Sequence, residues 1–351
     1  MNLISAETFD TIIDDQEVKL YTLKNKWGVT TQITNYGGRV VSLWLPDKKG
    51  HYEDVVLGFK DIATYQKSKE KYFGALIGRY GNRIAKGRFV LEDSTYLLAK
   101  NNGENHLHGG NKGFESVVWK VNSFTEDKLF LSYFSPHMEE GYPGNLTVSV
   151  EYHLTDENEL SIQYFAQSDQ TTIINLTHHS FFNLKGAGNG NVNDHLLQIN
   201  ADYFTPIDDQ LIPTGVIQKV VNTPFDFLLP TQIGSRIDAL DDQLTYGHGY
   251  DHNYVLNPSD SIVSFAARVV EPVSKRTLEV YTNEPGMQFY GGNFLDGTVR
   301  GKRDKSYEYR GAFCLETQHF PDSPNKIQFP STSLEAEEPY YSICIYKFGL
   351  L

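Results

Sequence analysis

The feature that most constrains this chain is a period of two: apolar side chains recur at every second position in many short runs, the pattern of a strand that buries one face. The clearest run is Leu146-Thr-Val148-Ser-Val150-Glu-Tyr152-His-Leu154; after the polar stretch Asp156-Glu-Asn-Glu159 it resumes as Leu160-Ser-Ile162-Gln-Tyr164. Matched apolar faces on either side of a turn predict an antiparallel hairpin. The same alternation marks Val41 to Leu45, Leu129 to Phe134 and Thr277 to Thr282, whereas helical periodicity is confined to Asp61 to Lys69 and Thr231 to Ile237. The expected class is therefore all-β with a few short helices. Aromatic content, 22 Tyr and 21 Phe against 3 Met, agrees with it, because aromatic rings favour pleated surfaces.

No Pro/Ser-rich linker or charge block divides the 351 residues, and the loose stretch Gly186 to Asn193 is short enough to be a surface loop, so residues 1–351 are expected to form a single domain. The net charge of −13 argues against nucleic-acid and anionic-membrane partners, both of which need a basic surface. Cys314 and Cys344 both lie in apolar runs and are expected to be buried thiols, since two cysteines make no disulfide scaffold. The first ten residues lack a basic segment followed by an apolar one, and no apolar run approaches membrane-spanning length, so a cytoplasmic protein is expected. The sequons at Asn145 and Asn175 are then expected to be silent.

Polar, titratable side chains concentrate beside glycines and aromatics in a few places: Asn82-Arg83, His106-Leu-His108-Gly-Gly110, Asn175-Leu-Thr-His178-His179-Ser-Phe-Phe-Asn183, Tyr250-Asp251-His252-Asn253, Gln288, and Phe313-Cys-Leu-Glu316-Thr-Gln318. Two of them lie in Gly-rich segments, Gly78 to Gly87 and Lys100 to Gly113, of the kind that carry binding groups on a rigid sheet. Glu316 sits in an otherwise apolar strand-like run, where desolvation raises a carboxyl toward a value useful for proton abstraction unless the side chain simply faces solvent. The histidines could serve as metal ligands, as proton-transfer groups or as hydrogen-bonded core residues. Metal is the weaker reading, because no carboxylate follows His106-x-His108 at short spacing, Glu115 being the next, and zinc-type spacings are absent. Neither a Walker loop nor a dinucleotide fingerprint is present.

Taken in order, these segments resemble the aldose 1-epimerases, or galactose mutarotases. The landmarks are Gly78-Arg-Tyr-Gly-Asn-Arg83-Ile-Ala-Lys-Gly87, Asn105-His-Leu-His108-Gly-Gly110, Asn175 to Leu184, His248-Gly-Tyr-Asp251-His-Asn253, Pro285-Gly-Met-Gln288-Phe-Tyr-Gly-Gly-Asn293 and Phe313 to Gln318. The resemblance implies a large antiparallel β-sandwich whose cleft binds a free monosaccharide, with no metal or organic cofactor, in a monomer or homodimer that serves hexose and galactose metabolism. It implies that Glu316 is the general base for the C1 hydroxyl, that His179 is the general acid for the ring oxygen and that His108 supports ring opening. Asn82, Arg83, Asp251 and Gln288 would hold other hydroxyls. Two positions depart from the family pattern: His178 stands where Asn is common, and Phe181 where Tyr is common. The downstream Asn183-Leu184 favours His179 over His178 as the acting histidine. A glycosidase reading would need two carboxylates across the scissile bond, and only Glu316 and Asp251 are candidates. A lectin-like relative would have no need of both Glu316 and His179.

Overall fold

The computed structural model describes residues 1–351 and consists almost wholly of antiparallel strands, with two short α-helices. All the alternating runs except Val41 to Leu45 become strands of a nine-stranded sheet in the order Lys120–Phe124, Lys128–Ser135, Leu146–Leu154, Glu159–Ser168, Tyr340–Leu350, Arg276–Thr282, Ser264–Val270, Leu196–Ile199 and Thr231–Gln232. The predicted hairpin pairs in the expected register, with Tyr152 opposite Ile162 and Leu154 opposite Leu160. Its first strand buries alternate residues from Leu146 through Leu154. The C-terminal strand Tyr340–Leu350 is inserted between Glu159–Ser168 and Arg276–Thr282, so the last residues of the chain join the two halves of this sheet.

A four-stranded sheet (Leu20–Lys24, Thr30–Thr34, Arg39–Pro46, Tyr52–Asp54) and a five-stranded sheet (Gln218–Lys219, Tyr203–Phe204, Asp251–Val255, Gly286–Tyr290, Cys314–Gln318) make the second layer. Leu131, Val148, Val150 and Ile162 of the large sheet join Ile33, Val40 and Leu43 of the four-stranded sheet and Tyr254, Met287, Phe289 and Leu315 of the five-stranded one in a cluster of 54 buried residues. Burial of that apolar area is the main force holding the layers together. Both cysteines are free and buried in it or beside it, as expected.

The Asp61 to Lys69 periodicity yields a helix, Ile62–Lys67, whose N-cap Asp61 accepts from Thr64 N–H. The second expected helix is corrected: Thr231–Gln232 is a strand and Ile233–Ser235 a single tight turn. Pro230 precedes it, Gly234 weakens helix in its middle, and strand pairing of Thr231 with Leu197 supplies the competing backbone hydrogen bonds. A helix the periodicity did not reveal, Asp242–Tyr246, is announced by its ends instead, with Asp241 capping Gln243 N–H and Gly247 closing it.

A buried ion pair ties the four-stranded sheet to the segment following Gly301: Lys302 Nζ lies 2.5 Å from Asp54 Oδ2 and donates to Val41 O at 2.6 Å. Asp54 Oδ1 also accepts from Leu43 N–H at 3.1 Å. Removing the ammonium leaves a buried carboxylate without its counter-charge. Lys302→Met is therefore expected to lower stability by about 3–5 kcal/mol, read as a reduced urea midpoint, with a much smaller loss for the half-exposed Lys305→Met.

Candidate functional site

The five-stranded sheet carries two kinds of surface on its last three strands. Met287, Phe289, Tyr254 and Leu315 point into the core. Their neighbours Asp251, Asn253, Gln288, Tyr290, Glu316 and Gln318 occupy the opposite face, and Asn253, Gln288 and Glu316 stand in one cross-strand row. The strand Thr177–His179 packs beside Cys314–Gln318 and pairs with Ala75–Ile77. Alternation then decides between the two histidines. His178 turns inward, donating to or accepting from Ser180 Oγ at 2.7 Å and packing against Tyr152 and Tyr346. His179 turns the other way, its Nε2 3.5 Å from Glu316 Oε1.

The two Gly-rich loops meet through a short ladder in which Arg83 pairs with Leu107 and Ile84 with His106. Gly109 is required there: its φ is +85°, and a Cβ would lie 1.9 Å from Gly78 O. Asn82 and His108 both adopt left-handed backbone angles, φ +62° and +50°, and hold each other. His108 N–H donates to Asn82 O, and Asn82 N–H donates to His108 Nδ1, each at 3.1 Å. Arg79 anchors the first loop from behind with donations to Ser135 Oγ, Ser135 O, Pro136 O and Pro143 O. Asp322 does the same from the far side, its N–H donating to Arg83 O and its carboxylate accepting from Ala85 N–H.

The residues expected to act on or hold the sugar meet at one cleft of about 410 Å³, whereas His106, His178, His252 and Gln318 turn away from it. Asn82, Arg83, His108, His179, Asp251 and Glu316 form its walls, and Gln288 donates to Asp251 Oδ1 at 2.7 Å from beneath. Arg83 reaches Asp251 at 3.9 Å and donates to Asn102 at 3.1 Å. His106 is structural: its Nδ1 donates to Ala99 O at 2.8 Å and its Nε2 accepts from the Tyr142 hydroxyl at 2.6 Å. His252, between Asp251 and Asn253, faces the core against Phe204 and Phe225. Gln318 points along the sheet toward Asn253 rather than into the cleft. Glu70, Tyr72, Asp209, Tyr246 and Phe294 also line the cleft, and none of them belongs to a motif that marks it in the sequence. Tyr72 stacks on His179 at 5.7 Å and tilts against His108 at 4.6 Å. It sits just past Lys67-Ser-Lys-Glu-Lys71, which reads as a solvated loop. Phe181 also stacks on His179, at 4.8 Å.

Burial, reinforced by the nearby charge of Asp251 and opposed by Arg83, raises the Glu316 carboxyl well above its ordinary value. Burial lowers His179 to about 3. Both shifts disfavour the charged forms, and at 3.5 Å the two groups titrate as a coupled pair. Asp251 is raised by burial against the pull of Arg83 and Gln288. Glu316 Oε2, Gln288 Oε1 and His179 Nδ1 are buried with no protein hydrogen-bond partner, polar capacity at and behind the cleft that the fold itself leaves unused.

His108, His179 and Glu316 also bring potential ligand atoms within 4.8 Å of one another, an arrangement the spacing argument did not foresee because its carboxylate comes from a distant strand. The donor chemistry does not suit an ion. His108 Nδ1 already accepts from Asn82 N–H, so the neutral ring carries its hydrogen on Nε2 and offers a donor, not a lone pair.

An acid–base pair in an aromatic-walled cleft ringed with amide, guanidinium and carboxyl groups defines an enzyme that handles a polyhydroxylated ring. The comparisons with known proteins say which. A family profile for aldose 1-epimerase matches residues 19–347. The galactose mutarotase of Bos taurus is 46% identical over 318 residues, 91% of this chain and 90% of its own. The aldose 1-epimerase of Escherichia coli (strain K12) is 36% identical over 337 residues, 95% of this chain and 96% of its own. Among solved structures, an aldose epimerase homologue from C. elegans superposes with a TM-score of 0.88 at 30% identity, covering 95% and 99% of the two chains. The galactose 1-epimerase from Lactobacillus acidophilus NCFM gives 0.84 at 29% identity, covering 97% of each. The chain belongs to the aldose 1-epimerase family, enzymes of carbohydrate epimerisation.

The inward position of His178 has a measurable signature. Burial lowers it to about 3, with the neighbouring His179 acting in the same direction. In the unfolded chain it titrates near ~6.5. Since the folded value is depressed, its contribution is complete above ~6.5 and is lost as pH falls toward 3, because the unfolded chain binds the proton first. Comparing thermal or urea stability of the wild type with His178→Asn between pH 7 and 4, the wild type is expected to lose about 1.4 kcal/mol per pH unit relative to the variant below ~6.5. The variant is expected to keep its activity, in contrast to changes at His179.

Proposed function

We propose that this protein interconverts the α and β anomers of free aldohexoses such as D-galactose and D-glucose, without metal or organic cofactor, as a single domain over residues 1–351. The observation that carries the reading is the Glu316–His179 pair, a carboxyl and an imidazole 3.5 Å apart and buried, whose environments push their proton affinities in opposite directions. Anomer exchange needs one proton removed from the C1 hydroxyl and one delivered to the ring oxygen, and nothing more.

Glu316 takes the C1 hydroxyl proton as a carboxylate while His179, as imidazolium, protonates the ring oxygen. The C1–O5 bond breaks and the C1–O1 bond becomes the carbonyl of the open-chain aldehyde. This charged arrangement has the same proton count as the uncharged pair, and Arg83 favours its carboxylate. Rotation about C1–C2 presents the other carbonyl face; O5 then attacks C1, His179 takes back the O5 proton and Glu316 returns one to O1. His108 Nε2–H donates toward the ring oxygen or O1 as charge develops there. Asn82, Arg83, Asp251 and Gln288 supply donors and acceptors to the remaining hydroxyls. No helix is long and apolar enough to cross a membrane. A cytoplasmic location and a role in supplying the anomer that a sugar kinase consumes in galactose metabolism fit the family.

Polarimetry of freshly dissolved α-D-galactose and α-D-glucose in buffer with a chelator is expected to show accelerated decay to the same final rotation; loss of activity on chelation would overturn the cofactor-free reading. Glu316→Gln and His179→Asn are each expected to reduce kcat by about 10²–10⁴-fold while the thermal midpoint stays close to wild type. For Asp251→Ala the expected effect is mainly on KM, a rise of roughly tenfold or more, the order of one lost charged hydrogen bond; an unchanged KM would remove Asp251 from the binding set.

A further inference from the structure

The proposed reaction leaves two carboxyls of the cleft without a task, the exposed Asp209 and the half-buried Glu70. Glu70 lines the same cavity as Glu316 and His179 but lies on the segment between the helix Ile62–Lys67 and Phe73. Its position follows from its neighbours: Tyr72 N–H donates weakly to its carboxylate at 3.4 Å, and its charge is felt by Tyr72, Tyr290 and Cys314. Arg39 acts on it from behind. These place Glu70 beside Tyr72 and near Tyr290, the tyrosine that pairs across the strands with Asp251.

The strand order gives that position a meaning. Asp251–Val255, Gly286–Tyr290 and Cys314–Gln318 are successive neighbours, and Thr177–His179 lies beyond them. With the C1 hydroxyl at Glu316 and the ring oxygen at His179, C2 falls toward Gln288 and Asp251. C5, bonded to the ring oxygen opposite C1, falls on the far side of His179, against Tyr72 and Phe181. The C5 substituent therefore meets the ring faces of Tyr72 and Phe181, of which only Tyr72 carries a hydroxyl. A hydroxymethyl group carried against these ring faces would lose its hydrogen bonds unless one polar group met it.

We propose that Glu70 reads the substituent on C5 of the sugar, accepting a hydrogen bond from a neutral hydroxymethyl group and repelling a carboxylate or phosphate at that position. The inference rests on the epimerase reading for the sugar's orientation. Electrostatics supports it. The cleft presents four carboxyl residues, Glu70, Asp209, Asp251 and Glu316, against Lys69 and Arg83. Lys69 is exposed, so water and salt screen its charge, whereas Glu70 is half-buried and Arg83 is engaged with Asp251. Burial raises the Glu70 carboxyl to about 7, partly offset by Tyr72 N–H and Arg39, and the repulsion therefore grows as pH rises through neutrality.

The test compares D-glucose, D-xylose, which lacks the C5 substituent, and D-glucuronate, which carries a carboxylate there, in wild type and Glu70→Gln at pH 8. Calorimetric Kd is measured beside polarimetric kcat and KM. Glu70→Gln is expected to weaken glucose by about threefold, leave xylose near its wild-type value and tighten glucuronate by about tenfold. A variant damaged in folding weakens all three sugars, so it cannot produce the gain for glucuronate. No gain for glucuronate, including no measurable binding in either protein, overturns the proposal, as does an equal loss for glucose and xylose. If no sugar is turned over but the binding pattern holds, the role of Glu70 stands and the epimerase reading fails; turnover without the pattern fails Glu70 alone.

Discussion

Everything at the candidate site depends on a strand presenting successive side chains to opposite faces. On Asp251–Val255, Gly286–Tyr290 and Cys314–Gln318 one face is Tyr254, Met287, Phe289 and Leu315, packed into the sandwich, and the other is Asp251, Gln288, Tyr290 and Glu316. The apolar face fixes the register, since a slip of one residue would bury Glu316 in the core and turn Leu315 into the cleft. Core packing and site geometry are thus one constraint. The same rule makes two adjacent histidines into a core residue and a cleft residue.

On this rigid sheet the loops add what strands cannot. Asn82 and His108, each in a strained left-handed conformation, bond to one another through backbone and ring. The strain is held by Arg79 and Asp322, which fasten the first loop at both ends through buried hydrogen bonds. A consequence is that the tautomer of His108 is set by a backbone amide rather than by solvent. Its cleft-facing nitrogen is a donor, which distinguishes an oxygen-binding site from a metal site built of the same three side chains.

The sequence revealed the large sheet because alternation there is clean and one face is wet, as in Leu146–Leu154. It revealed the polar site residues because a carboxyl or amide inside an apolar strand, such as Glu316 or Gln288, demands an explanation. Thr231 to Ile237 misled because its apolar spacing is helical while Gly234 and the partner strand Leu196–Ile199 decide otherwise. Glu70 and Tyr72 escaped because their cleft is made by tertiary folding of a segment rich in lysine, whose charged side chains mask the two that turn inward. Metal-like clustering escaped for a related reason: spacing rules see ligands close along the chain, and Glu316 reaches the histidines only through sheet pairing.

The Glu316–His179 pair ends a proposed turnover with the same single proton with which it began, His179 having lent one to O5 and Glu316 having borrowed one from O1. Such a device has no spent form and needs no regeneration by buffer, reductant or second substrate. It is indifferent to direction, and so it cannot drive anomers away from equilibrium but only keep them at it. Control of flux then lies wholly with whatever enzyme withdraws one anomer, and the cleft serves as a reservoir valve that opens as fast as that withdrawal demands.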